Sequence, residues 1–427
     1  MERRDHYNGT VDAGLAGIPL FRQDIETMKI AMVLPWFPSL DARTVEAQQG
    51  VFDFRQTMQL AERGHEFKII SVRWRGQSSA ESFGDRVAVR RLSPLFIFPK
   101  IRYPVPELFS FSRAIKKLCR DWRPDVLYYS HAIYLTALPV LWLRKTGIPV
   151  IAGTDALPGV AWFYGSRLVD LAGRLYTKLV LKRILNLADG VHLMSSQLMK
   201  QGESIGLDKT KAFTITRGVD TAVFHPAPPP AGLRESLGIG ERDTVVLYAG
   251  RLDLVKGVGY LLRAAARVLP RRPAVKVLIV GEGSLRKQYE AYAAPLSPAV
   301  IFAGWRKDIP RLMNAADIFV LPSLSEGAAN VAMEAGASGL PVIASAVGEI
   351  PHIIVPGLTG ELVAPGDVDG LAAALEKLLD SPALARQMGE AARKRMAEKY
   401  TWNIICEAVA GEYGQVIDRF SRAGERQ

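Results

Sequence analysis

Short apolar runs rich in β-branched residues recur along the chain between stretches of helical period, at residues 30–34, 67–72, 126–129, 150–152, 191–194 and 213–216. Runs of this length alternating with helical patterns predict buried strands joined by crossover helices, and so a parallel, doubly wound α/β sheet. A second set follows at 244–249, 275–280, 300–303, 318–321 and 342–344, each succeeded by a glycine turn or a helical pattern. Between the sets, Pro226-Ala227-Pro228-Pro229-Pro230 is too stiff and too poor in donors to join a sheet, which marks a hinge. The pattern divides the chain into a first domain at 28–225, a linker at 226–240 and a second domain at 241–400. A long helical pattern at 382–400 is followed by another at 402–420, within a final segment 401–427. Residues 1–27 precede the first strand and read as a tail or an added helix.

Composition adds size and compartment. With 427 residues, 48% of them apolar, the chain is long enough for two domains with substantial cores. Cys119 and Cys406 supply neither a disulfide framework nor a C-x-x-C spacing, which points to a reducing cytoplasm. The first twenty residues carry acidic side chains and too short an apolar core for a signal peptide, so Asn8-Gly9-Thr10 reads as an unused glycosylation sequon. The longest nearly apolar run, 132–143, falls well short of the ~20 residues that a spanning helix needs.

The net charge of +11 is unevenly placed: residues 51–200 hold 23 Lys and Arg against 11 Asp and Glu, so the first domain carries the whole surplus. Within it Arg167, Arg174, Lys178, Lys182 and Arg183 interleave with Trp162, Phe163, Leu168, Leu171, Leu175, Leu179 and Leu181, a basic amphipathic segment. Such a segment is either an ordinary surface helix with a solvated charged face or a docking element for anionic lipid headgroups, where each cation contributes about 1 kcal/mol. No nucleic-acid-binding motif accompanies the charge, which excludes nucleic acid as the expected partner.

The chemistry lies in two stretches: Y-A-G-R-L-D-L-V-K-G from Tyr248, and P-S-L-S-E-G-A-A-N-V-A-M-E-A-G-A-S-G-L-P-V-I-A-S from Pro322. In the second, an apolar strand runs through a polar turn into a small-residue helix, so backbone N–H groups near 326–329 converge where an anion would sit. Asn330 and Glu334 share a helix face, with Glu326 about 12 Å earlier at 1.5 Å per residue. Arg251, after one strand, and Lys256, where the next helix begins, supply cations for a diphosphate. A ligand with hydroxyls at both ends and phosphates between fits that order. Alone, a Gly-Arg turn is a solvated cation and a glutamate on an Ala-rich helix is surface. Several such elements in sequence, at the carboxyl ends of successive strands, favour a binding site.

At these residues the chain resembles the retaining nucleotide-sugar glycosyltransferases of the GT-B fold, glycosyltransferase family four. The family's G-R, K-G, E-G, N-V and E-A pairs stand here as Gly250-Arg251, Lys256-Gly257, Glu326-Gly327, Asn330-Val331 and Glu334-Ala335. Gly304 with Asp308, Gly348 after Ser345, and Thr359 to Val363 extend the match, dense over 245–402. The resemblance implies two doubly wound Rossmann-like domains facing a central cleft, the donor held by the second, the acceptor by the first, and a last helix returning to the first. It implies donor contacts from Arg251, Lys256, Gly304, Trp305 (beside the base), Glu326, Gly327, Ala328, Asn330, Val331 and Glu334. It implies catalytic roles for His131, Arg251, Lys256 and Glu326, His131 falling where the family's histidine approaches the donor sugar.

The chain also departs from the family pattern. Gly153-Thr154-Asp155 looks like the H-G-x-D loop without its histidine, Gln49-Gly50 stand in place of a Gly-Gly loop, Arg217-Gly218-Val219-Asp220 replaces N-G-V-D, and Ala328 replaces an aromatic. Gln49, Gly50, Asp155 and Gly218 are thus the candidates for acceptor or cleft contacts. The implied reaction is retaining transfer of a hexose from a UDP- or GDP-linked sugar to a glycan or lipid-linked acceptor at the inner membrane face, with the nucleotide-diphosphate sugar as co-substrate and no other cofactor.

Cleavage of the anomeric bond leaves negative charge on the diphosphate. The one D-x-D triplet, Asp367-Val368-Asp369, is explained as a helix cap. Arg251, Lys256 and the helix start after Gly327 are therefore expected in the place of a metal. Gly281-Glu282-Gly283 has Arg286 where a dinucleotide fingerprint needs its third glycine. A GT-B epimerase acting on the nucleotide sugar and a catalytically silent scaffold are the alternatives from other classes.

Overall fold

The apolar runs become strands in a computed structural model that describes residues 26–39, 51–74, 76–98, 103–143, 146–160, 167–327 and 329–425. Gln49, Gly50, Trp162, Phe163, Ala328 and the tail up to residue 25 lie outside the described residues. Two units are resolved by contact density, one of them residues 217–401 and the other the described residues on either side.

The first unit contains β1 (Lys29–Leu34), β2 (Glu66–Val72), β3 (Ala80–Phe83), β4 (Val87–Leu92), β5 (Pro94–Phe98), β6 (Tyr103–Pro106), β7 (Val126–Tyr129), β8 (Val150–Thr154), β9 (Gly190–Leu193) and β10 (Ala212–Thr214). Eight of the described strands form one sheet in the order β10-β9-β8-β7-β1-β2-β4-β3, parallel except for β3. The strands β5 and β6 make a separate antiparallel pair. β7, β8 and β9 are buried along their whole length, which is why they read as unbroken apolar runs. β4 alternates buried and exposed residues, the period of a half-buried edge region, and for that reason forms no apolar run.

Helices α1 (Val51–Glu62), α2 (Leu108–Trp122), α3 (Arg167–Tyr176), α4 (Lys182–Leu187) and α5 (Ser196–Ser204) belong to this unit, with a π-helical turn, Thr177–Leu181, joining α3 to α4. Glu107 caps α2 by accepting from the backbone N–H of Phe109 and Ser110, satisfying two donors at the helix start.

The second unit contains β11 (Thr244–Ala249), β12 (Val275–Val280), β13 (Val300–Gly304), β14 (Ile318–Leu321), β15 (Val342–Ser345) and β16 (Gly360–Val363), paired parallel in the order β13-β12-β11-β14-β15-β16. Helices α6 (Leu233–Ser236), α7 (Val258–Val268), α8 (Arg286–Ala293), α9 (Ile309–Asn314), α10 (Asn330–Ala337), α11 (Ile350–Ile353), α12 (Val368–Asp380) and α13 (Pro382–Lys399) belong to it. Strand order reverses between β11 and β14, the switch point at which open α/β sheets bind ligands beyond the carboxyl ends.

The change of unit falls at residues 216–217, ten residues before the proline-rich stretch. Val219 donates its N–H to the Tyr400 carbonyl at 2.8 Å, and Val219 and Phe224 are buried in the second core, so Gly218 and its neighbours belong there rather than to a first domain reaching residue 225. The last helix, α14 (Trp402–Gly424), lies in the first unit: Ile405, Cys406, Val409, Tyr413 and Val416 share a core with Ile30, Met32 and Tyr128. Among the described residues no helix is long and apolar enough to cross a membrane.

Candidate functional site

The loops leaving β11 and β14 are locked together. Gly257 has φ +68°, and a Cβ there would collide with the Pro322 carbonyl oxygen; Leu324 donates its N–H to the Val255 carbonyl at 2.8 Å. This close backbone approach needs glycine both for its conformation and for space. It brings Lys256 Nζ to 2.7 Å from Glu326 Oε1, which also accepts from Ser323 Oγ at 2.6 Å. With side chains only 17% and 8% exposed, this is a largely desolvated ion pair, spanning seventy residues of sequence. Replacing Gly257 by alanine is expected to separate the two loops and cost about 1–3 kcal/mol in backbone strain alone, read as a lower unfolding midpoint in urea.

Arg251 sits on the same loop, but its guanidinium is 62% exposed and paired with Asp253 at 2.8 Å. Its backbone is fixed from beneath, since Tyr248 donates its hydroxyl to the Arg251 carbonyl at 2.7 Å. Burial, and next the charge of Glu326, raise the Tyr248 pKa, so the phenol stays a donor at any working pH.

The 1.5 Å rise does not apply between Glu326 and Asn330, which corrects the 12 Å spacing: α10 begins only at Asn330, and Ala329 before it is left-handed at φ +46°. The turn is held by Gly348, at φ +58°, where a Cβ would collide with the Glu326 carbonyl oxygen, and by the Glu349 N–H donating to the Gly327 carbonyl at 3.2 Å. Asn330 Oδ1 is buried with no hydrogen-bond partner among the described residues, an acceptor open to a donor from a ligand. Val331 follows on the first turn of the same helix and Glu334 on the second, both partly buried.

The structure thus gathers Lys256, Glu326, Gly327 and Asn330 at the switch point, with Arg251 on an adjoining arm. Gly304 and Trp305 stand at the end of β13, an edge strand two places from β11. Trp305 is exposed, with Lys307 Nζ 5.6 Å above its ring, and no hydrogen bond joins it to the gathered residues among those described. Asp367 accepts from the Gly370 N–H at 2.9 Å as the cap of α12, which accounts for the first carboxylate of the D-x-D triplet.

In the first unit, His131 follows β7 and is buried in a left-handed conformation, φ +54°. Its Nε2 lies 3.0 Å from Asp53 Oδ2 and its Nδ1 3.5 Å from Asp155 Oδ2, while Ser130 Oγ donates to the other Asp53 oxygen at 2.6 Å. Ionised carboxylates only accept, so both ring nitrogens carry protons and the ring is an imidazolium. Burial by itself would lower its pKa, but the charges of Asp53 and Asp155 and their hydrogen bonds overcome this and push it up to about 10. Asp155 therefore joins His131, as its position after β8 allows, whereas Asp53 escaped the sequence reading. An acid in the first turn of α1 reads as an ordinary complement to the helix dipole. Gly218 is buried within the second unit.

Comparison with known proteins gives a consistent picture. The profile described as "Glycosyl transferases group 1" matches residues 232–395, and that described as "Glycosyltransferase Family 4" matches 54–223. The chain is 30% identical to a glycogen synthase of Mycobacterium tuberculosis over 338 residues, 73% of each chain. It is 28% identical to an MMP alpha-(1->4)-mannosyltransferase of Mycolicibacterium hassiacum over 92% of this chain and 99% of the other. Among solved structures, sucrose-phosphate synthase from Thermosynechococcus elongatus aligns with a TM-score of 0.75 at 25% identity, covering 92% of this chain and 100% of that one.

Proposed function

The chain belongs to the group 1, family 4 glycosyltransferases of GT-B fold, which move a sugar from a nucleotide sugar, and on that premise we propose that it transfers a hexose from a UDP- or GDP-linked donor to a glycan or lipid-linked acceptor with retention of configuration and without a metal. The observation that carries this reading is the part-buried Lys256–Glu326 pair beside the unsatisfied Asn330 Oδ1 at the switch point. One partner is a cation for the diphosphate, the other an acceptor for sugar hydroxyls, and both are held ready by locked loops.

The acceptor oxygen forms its bond to the anomeric carbon on the side from which the diphosphate departs. As the carbon–oxygen bond breaks, its electron pair goes to the phosphate oxygen, which takes the acceptor's hydroxyl proton. Lys256, Arg251 and the N–H groups at the start of α10 stabilise that charge, a role worth about 3 kcal/mol for a single donor in a preorganised site. Glu326 accepts from donor-sugar hydroxyls and Glu334 from the ribose. The ring of His131, held protonated between two carboxylates, is not a general base, because both nitrogens already donate. The names of the two relatives, a glycogen synthase and a mannosyltransferase, support a hexose as the group transferred.

Thermal-shift titration with UDP-, GDP- and ADP-linked sugars tests the donor. The true donor at a hundred times its Kd adds about 2.7 kcal/mol to stability. A flat response to every nucleotide sugar removes the proposal. Turnover in excess EDTA is expected to match that in magnesium, and conversion of the donor sugar without any acceptor would instead mark an epimerase.

A further inference from the structure

The helical segment from α3 through the π-turn has an inside-out arrangement. Leu168, Leu171, Leu175 and Leu179 recur at i, i+3, i+7 and i+11, so they form one row along the helix, and all four are between 52% and 79% exposed. No residue of α3 is buried. The opposite side holds the helix to the protein through small and polar groups: Gly173 packs against Pro158 and Gly159, and Thr177 Oγ1 donates to the Pro158 carbonyl at 2.7 Å. A Cβ on Gly159 would collide with the Asp170 carbonyl oxygen, so helix and loop meet backbone to backbone. Four leucines of the segment are thus directed at solvent while Tyr176, Val180 and Leu181 pack inward, so the helix leaves an apolar row uncovered where a surface helix ordinarily buries it.

Beside this row, on one flank, stand Arg167, Arg174 and Lys178. The next helices repeat the combination. α2 and the π-turn with α4 pack in one layer on the same sheet face, sharing a core that includes Phe111, Ile115, Leu181 and Ile184. On the outer side of that layer Phe109 and Trp142 are exposed, with Lys116 and Lys117 on the same groove.

We propose that this layer of the first unit is a docking surface for an anionic lipid bilayer, the Leu168–Leu179 row entering the headgroup region while the flanking cations meet phosphate. A leucine row flanked by cations, in a unit whose residues 51–200 hold 23 Lys and Arg against 11 Asp and Glu, complements a negatively charged apolar boundary. A neutral apolar partner would leave those cations without counter-charge. This goes beyond the reaction itself and stands whichever donor is used.

Co-sedimentation of the full chain with vesicles tests it. Binding is expected to vesicles of phosphatidylcholine mixed with phosphatidylglycerol, to weaken with salt, and to be lost on phosphatidylcholine alone. The exposed-site variant Leu171→Gln/Leu175→Gln should abolish sedimentation, and Arg167→Glu/Lys178→Glu should weaken it on the order of thirtyfold or more. Both should unfold at the wild-type temperature and bind nucleotide sugar as the wild type does, which separates failure of this surface from failure of the donor assignment. Equal binding to neutral and anionic vesicles, wild-type binding by the leucine variant, or a leucine-dependent dimer by light scattering in place of lipid binding would each overturn the proposal.

Discussion

Lys256→Met is expected to lower kcat/KM by about two to three orders of magnitude, the loss found when one preorganised donor to a developing anion is removed. The same substitution leaves Glu326, 8% exposed, with Ser323 Oγ in place of a cation. Breaking a buried pair on one side costs roughly 3–5 kcal/mol, and the partial exposure of Lys256 puts this case near the lower figure. Activity and stability should therefore fall together in Lys256→Met and separate in Glu326→Gln. The glutamine keeps an oxygen for Ser323 and frees the Lys256 charge for the diphosphate, so nucleotide alone should bind at least as well while turnover drops. Calorimetry with the nucleoside diphosphate and steady-state kinetics on both variants check the pattern. Turnover of Lys256→Met within threefold of wild type would remove Lys256 from the reaction.

Asp53→Asn is expected to show the second large effect, on stability and its pH dependence. It removes one of two carboxylates that keep the buried His131 ring charged, at a cost of about 3 kcal/mol and a fall in Tm on the order of 10 °C. The sign of the pH effect follows from the direction of the shift. The folded-state pKa of His131, about 10, lies above its unfolded value near 6.5. Its contribution is fully present below pH 6.5 and is lost as pH rises through 10. In Asp53→Asn the folded value drops toward 6.5, so that contribution is smaller and disappears at lower pH. Tm curves of the two proteins should therefore be farthest apart near pH 6 and converge toward pH 10. Parallel curves across that window would show that His131 is not held as a cation by Asp53. Gly348→Ala, which forces a side chain against the Glu326 carbonyl, should weaken nucleotide binding without touching this pH profile.

The parallel framework was legible because its central strands are buried on both faces and must be apolar throughout; the runs at 244–249, 275–280 and 318–321 coincide with β11, β12 and β14. β3 to β6 and β16 were not: they are short, Val87–Leu92 is half-buried and carries adjacent arginines, prolines occur in Pro94–Phe98 and Tyr103–Pro106, and Gly360–Val363 carries a glutamate. The motif pairs marked which loops meet at the switch point. They did not show that Lys256 and Glu326 bond to each other in the free protein, or that the turn before Asn330 is non-helical. Asp53 and His131 lie 78 residues apart, and no local spacing links them.

By itself the sequence determined the two sets of crossover units, the family, and the loops on which cations and carboxylates are carried, because these rest on periodicity and on residues a few positions apart. Tertiary structure alone decided the pairings: Lys256 with Glu326, His131 between Asp53 and Asp155, and which residues of α14, whose return the family resemblance implied, meet the core of the first unit. It also decided which side of α3 faces outward. An amphipathic pattern specifies that two faces exist, but the close approach of Gly173 to Gly159 fixes the small-residue face inward and leaves the leucines outside. The physical reason is common to all four. A side chain's partner is set by which backbones come within reach, and that distance is a property of the folded chain rather than of any stretch of it.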